Sequence, residues 1–173
     1  MKRAEAVLKD SEYLDYLERM DLAERHYPFC RHDLRHMLDV ARVTYIMVLE
    51  QGAMEQFVKE NGLGDLSRGR EVIYAAGLLH DIGKWCEYEE GGDHSVHGAR
   101  LAGPILTRSG FSQAETDLIV RSIFEHRHLH QNMSFLGQIL YQADNLSRVC
   151  THCAQRPCVK QPEKESETYI LEY

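Results

Sequence analysis

The sequence predicts an all-α fold. Apolar residues recur at helical spacing along most of the 173 residues, and N-capping residues precede several of these stripes. An alternation suited to a strand occurs only at 169–173. A chain of this length forms one domain with a substantial core. We place that domain at 1–149 and expect a cysteine-containing, irregular C-terminal tail at 150–173.

Leu14, Leu17, Met20 and Leu22 form the first stripe. Leu34, Leu38, Ala41, Tyr45, Val48 and Leu49 form the second, which predicts a helix over 33–51 with Asp33 as its N-cap. Residues 58–70 are polar and glycine-bearing and read as a loop. A third helix is expected at 71–80, stopped by Gly83. The acidic stretch 86–93 contains paired glycines and reads as a second loop, with Cys86 an ordinary thiol at its start. Residues 96–109 read as helical despite Pro104. Ser112 and Glu115 suggest a capping box ahead of a helix at 116–126. The last expected helix spans 133–149. Beyond Gln155 the chain is polar and carries Pro157 and Pro162.

Hydrophobic residues make up 43% of the chain and charged residues 27%, a soluble balance. The net charge of −7 argues against a nucleic-acid polymer or an anionic membrane as partner, since both select basic patches. A small anionic ligand is still compatible, because one pocket can be locally positive. The first residues carry acids and lack an apolar block, so no signal peptide is expected. The longest apolar run, 43–49, is too short to span a bilayer. The expected location is the cytoplasm. Oligomeric state is open, with a homodimer among the expectations.

The ten histidines are not scattered evenly. His36 lies in an apolar-periodic helix. His80 and Asp81 end the apolar run of "AAGLLHDIGKW". His94 opens a helix, His126 closes one, and Asp144 sits among leucines in "LYQADNLSR". A buried charge is costly unless it is paired or binds metal. Imidazole with carboxylate is a ligand mix for Mn, Fe, Co, Ni or Zn. Taken singly, each residue reads more simply as a hydrogen-bonded core histidine or a helix-end carboxylate. The signal is the ordered set. Lys84, three residues after Asp81, could reach a phosphate as a point charge.

From Cys30 to Arg148 the set resembles the HD superfamily of metal-dependent phosphohydrolases, which are all-helical. "HMLDVARV", "LLHDIGKW", "HSVHGARLA", "SIFEH" and "YQAD" are similar to its five segments, in its order. The resemblance implies an HD-domain helical bundle with its core at 30–149. It implies that His36, His80, Asp81 and Asp144 bind one divalent transition metal. Asp81 would bridge to a second metal, held also by His94 and His126. Fe, Mn, Co and Ni are the expected metals, with Mg admitted. Asp81 and the metals would position water for attack on phosphorus, with Lys84 offsetting charge. Lys84, Arg127, His128 and Arg148 would bind substrate. The implied reaction is hydrolysis of a small phosphate ester or anhydride, with a nucleotide as the expected substrate.

The layout is closest to bacterial HD-type hydrolases that split diadenosine tetraphosphate, which also follow the final Ala-Asp with an arginine, here Arg148. "EHRHLHQNMSF" lacks the signatures of the cyclic-dinucleotide phosphodiesterases, and "HDIGKW" lacks the acids of the alarmone hydrolases. The alternatives are a non-catalytic sensor of nucleotide, metal or redox state, and a metal-dependent oxygenase on the same fold. Cys150 and Cys153 have zinc-ligand spacing. With Cys158, and with Cys30 or His152 as the fourth ligand, they form a candidate site for Zn or an Fe–S cluster. The alternative is three reduced thiols on a tail.

Overall fold

A computed structural model describes residues 1–26, 31–127 and 130–148. The described residues form α1 (Lys2–Val7), α2 (Ser11–Ala23), α3 (Leu34–Glu50), α4 (Met54–Glu60), α5 (Leu66–Leu79), α6 (Lys84–Glu90), α7 (His94–Arg108), α8 (Gln113–Glu125) and α9 (Phe135–Leu146). No strand occurs among them. The alternating stretch at 169–173 and the expected tail at 150–173 lie outside the described residues. None of the described helices is long and apolar enough to cross a membrane.

Local capping accounts for most helix starts. The side chains of Asp10, Asp33, Asp65, Asp93, Ser112 and Ser134 each accept from a backbone N–H of the following first turn. The capping box of Ser112 and Glu115 is formed in both directions. Two expected loops are instead largely helical. Residues 58–60 end α4, and α5 begins at Leu66, five residues before the expected start. The glycine that suggested a loop, Gly69, lies under α4, where a Cβ would fall 2.6 Å from Val58 Cγ2. The segment read as a loop at 86–93 belongs mostly to α6, which buries Lys84, Trp85 and Cys86. Burial of that face outweighs the acidic composition, as tertiary packing usually does for short helices. Cys86 is therefore a core residue. The true break is Gly91, whose φ of +76° suits glycine.

Helix α5 is the axis of the fold. Its buried residues, among them Val72, Ile73, Ala75, Ala76, Leu78 and Leu79, cover more than one face, as expected of a helix enclosed by others. It packs against α1, α3, α4, α7, α8 and α9. Arg3 ties α1 to this core. Its guanidinium meets Glu71 of α5 at 2.6 Å and Glu115 of α8 at 2.8 Å, and lies 4.4 Å from the centre of the Phe111 ring.

Close backbone contact sets the geometry at the inner end of α5. A Cβ on Gly77 would fall 2.4 Å from Ala41 Cα of α3. One on Gly83 would fall 2.3 Å from both His94 O and Gly98 N of α7. These contacts bring α3 and α7 onto the end of α5, where His80 and Asp81 stand.

Gly77→Ala is expected to cost about 1–3 kcal/mol by overpacking. Gly103→Ala meets nothing within 4 Å and should be neutral or slightly stabilising. Urea unfolding of the two variants checks this, and equal losses would contradict the proposed contact.

Candidate metal centre

Each side chain of the ordered set reaches the centre from a helix terminus or its neighbouring turn. His36 lies in the first turn of α3, where its N–H donates to the Asp33 cap at 3.0 Å. His80 is the C-cap of α5, and Asp81 opens the turn that leads into α6. His94 is the first residue of α7 and His126 the C-cap of α8. Asp144 lies in the last turn of α9.

Two groups of donor atoms result, and they share Asp81. His36, His80, Asp81 and Asp144 offer atoms that all lie within 4.8 Å of one another. Asp81, His94 and His126 do the same. Asp81 Oδ2 faces the first group, 3.1 Å from His80 Nε2 and 3.5 Å from His36 Nε2. Its Oδ1 faces the second, 3.1 Å from His94 Nε2 and 3.6 Å from His126 Nε2. Asp144 Oδ1 lies 3.1 Å from His36 Nε2 and 3.8 Å from His80 Nε2. The structure thus brings together all six residues singled out for metal.

The histidines are held from behind. His80 Nδ1 meets Gly77 O at 2.7 Å, and His126 Nδ1 meets Ile123 O at 2.5 Å. A carbonyl only accepts, so each Nδ1 carries a proton and each Nε2 is aimed inward. His94 Nδ1 meets the Glu87 carboxylate at 2.5 Å, an acceptor of the same kind.

Asp81 is 2% exposed and His80 fully buried. His80 Nε2 and Asp81 Oδ2 have no hydrogen-bond partner, although they are 3.1 Å apart. Such buried orphans call for an explanation. Burial disfavours the imidazolium of His80, yet Asp81 and Asp144 outweigh it and push its pKa from 6.5 up to about 10. Burial also opposes ionised Asp81, but His80 and His32 hold it well below the usual carboxylate range. Asp144, likewise desolvated, is held low by the nearby His36 and His80 imidazoles. The cage therefore demands positive charge. Nitrogen and carboxylate donors converging on two unpartnered buried atoms fit a divalent transition metal.

The expected substrate-binding residues are placed as follows. Lys84 is buried, and its ammonium meets Glu87 Oε2 at 2.8 Å, behind the His94 ring. Arg127 meets Asp93 at 3.1 Å and lies 3.6 Å from Glu87. Arg148 borders the first group, 3.1 Å from His36 Nε2 and 3.2 Å from Asp144 Oδ1. His128, Cys30, Cys150, Cys153 and Cys158 lie outside the described residues. Glu87 was missed in the sequence because its segment reads as a loop. On a helix it stands three residues after Lys84, a pairing position. Trp85 stacks on Tyr16 with centroids 5.7 Å apart and lies beneath Arg19, which makes it a packing residue.

The family model described as HD domain matches residues 33–149. An uncharacterized protein of Clostridium beijerinckii is 34% identical over 153 residues, covering 88% of either chain. A bifunctional uridylyltransferase/uridylyl-removing enzyme of Bradyrhizobium diazoefficiens is 36% identical over 103 residues, which are 58% of this chain and 10% of that enzyme. Ribonuclease Y of Lactobacillus gasseri is 30% identical over 114 residues, 66% of this chain and 17% of the ribonuclease. This chain thus spans a small part of either named enzyme. No solved structure matches it.

The charge balance gives a pH signature for chelator-treated protein. His80 is raised from 6.5, so its contribution to stability is complete below pH 6.5 and is lost as pH rises through about 10. Asp81 and Asp144 are lowered from 3.8, so theirs is present above pH 3.8 and lost at lower pH. The thermal midpoint should decline from pH 6.5 to 10, and His80→Asn should flatten that decline. A wild-type midpoint that does not fall over this range would contradict the pairing.

Proposed function

This chain belongs to the HD-domain family, whose members are metal-dependent phosphohydrolases, and from that premise we propose that it hydrolyses a small phosphate ester or anhydride, with nucleotides as the substrate class. The observation that carries the reading is the single buried carboxylate, Asp81, presenting one oxygen to each of two donor groups. These residues would hold divalent metals, with Fe, Mn, Co or Ni preferred and Mg admitted, which would supply polarisation of a phosphoryl group and activation of water at neutral pH.

The residues of the chain then have distinct tasks. Asp81 joins the two groups and sets their separation. His36, His80 and Asp144 complete one, and His94 and His126 the other. Glu87 keeps His94 turned inward, and Lys84 neutralises Glu87, which makes Lys84 a positioning residue for the second group. Arg148, 13% exposed beside Asp144, is the cation we assign to the substrate phosphate. Arg127 stands beside the second group, and His128 keeps its assignment on sequence grounds.

Two relatives are named as a uridylyl-removing enzyme and a ribonuclease, which supports a substrate of the nucleotide class. The net charge of −7 supports a small one over a polymer. We assign residues 1–149 to this domain; the family match covers 33–149 of it.

A screen of nucleotides, dinucleoside polyphosphates and phosphomonoesters with Mn, Fe or Co tests the reading. Metal-dependent release of phosphate or nucleotide is expected. His80→Ala and Asp81→Ala should each lower it by more than about 100-fold, beyond the usual effect of residues that only support a ligand. No release from any class, with metal bound, would overturn the enzyme reading. One metal per chain in fully active protein would overturn the paired site. Glu87→Gln should lower metal affinity or activity about 10–100-fold, and an unchanged affinity and rate would remove its positioning role.

A further inference from the structure

A fifth histidine faces Asp81. His32 lies just before α3 and is 3% exposed. Its Nε2 is 3.8 Å from Asp81 Oδ2, on the same side as His36 and His80. Its ring meets His36 edge to face, with centroids 5.7 Å apart. It stands outside the compact four-residue group and borders it at both His36 and Asp81.

The support behind His32 is as complete as that behind its neighbours. Its Nδ1 hydrogen-bonds to Glu24 Oε1. Glu24, the C-cap of α2, is 2% exposed. The same carboxylate accepts from the His32 backbone N–H at 2.7 Å and from the Tyr88 hydroxyl of α6 at 2.7 Å. His80, His94, His126 and His32 therefore share one arrangement. In each, Nδ1 is engaged by an oxygen acceptor behind the ring, and Nε2 lies 3.1–3.8 Å from an oxygen of Asp81. A carboxylate behind an imidazole fixes the ring and raises its basicity as a donor. A buried carboxylate from α2, reinforced by a half-buried hydroxyl from α6, would be an elaborate way to hold a histidine that only fills space.

We propose that His32 is an additional metal donor on the Oδ2 side of Asp81, held in place by Glu24 and Tyr88. The proposal rests on the metal reading above and enlarges its ligand set. One more imidazole favours a cation that prefers nitrogen, such as Fe, Co or Ni, over Mg.

The test uses the full chain loaded with Co²⁺. Metal content, affinity against a competing chelator and the visible cobalt spectrum are compared for wild type, His32→Ala, Glu24→Gln and His80→Ala. His32→Ala should bind cobalt about 10–100-fold more weakly and shift its visible bands. Glu24→Gln should weaken binding to a smaller degree, and it replaces His32→Ala as the deciding variant if circular dichroism shows the alanine chain unfolded. Wild-type affinity and spectrum in the folded deciding variant would overturn the role of His32 alone, provided His80→Ala loses metal. A wild-type chain that takes up no cobalt would overturn the metal reading and this proposal together.

Discussion

Asp81 is the constraint on which the rest of the structure depends. An ionised carboxylate buried to this extent is strongly unfavourable unless its surroundings supply positive charge or donors. Five imidazoles approach its two oxygens, from the start of α3, the ends of α5 and α8, and the start of α7. Helix ends are suited to this task. They bring a side chain to a point while leaving the helix body to pack elsewhere, and the residues there retain unsatisfied backbone groups. Gly77 O and Ile123 O, near the ends of α5 and α8, orient the histidines three residues later.

That convergence needs backbones closer than side chains ordinarily allow. Gly77 against Ala41 lets α3 lie on α5, and His36 and His80 end with ring centroids 5.2 Å apart. Gly83 against His94 O and Gly98 N does the same for α7, and Gly98 in turn lies over His80 O. Glycines are often taken as loop markers, yet here they make the site small. The apolar axis of α5 and the polar cage at its end are one construction: the first fixes the helices, and their spacing fixes the second.

The charge around the cage is arranged in layers. Acidic groups stand behind two of the histidines, Glu87 behind His94 and Glu24 behind His32. Cations then balance the outer acids, with Lys84 on Glu87 and Arg127 on Asp93. Arg148 closes the other side on Asp144. This alternation keeps each desolvated carboxylate compensated. It also places cationic side chains close to both donor groups.

What the sequence determined by itself was local or ordered. The 3.6-residue stripes gave α2 and α3, Asp33 gave the cap of α3, the Ser112 and Glu115 capping box gave α8, and the succession from His36 to Asp144 carried the family resemblance that the match over 33–149 bears out. Each of these signals is written within a few residues or in an order along the chain. Only the tertiary structure decided the rest. Helices α1, α4 and α6 are six or seven residues long and owe their formation to burial against distant elements. Glu24, His32, Glu87 and Tyr88 are distinguished by what lies behind and before them in space. His32 stands four residues before His36, a helical interval visible in the sequence. Its relation to Asp81 depends on α2, α3 and α6 meeting at the end of α5, a contact no local pattern encodes.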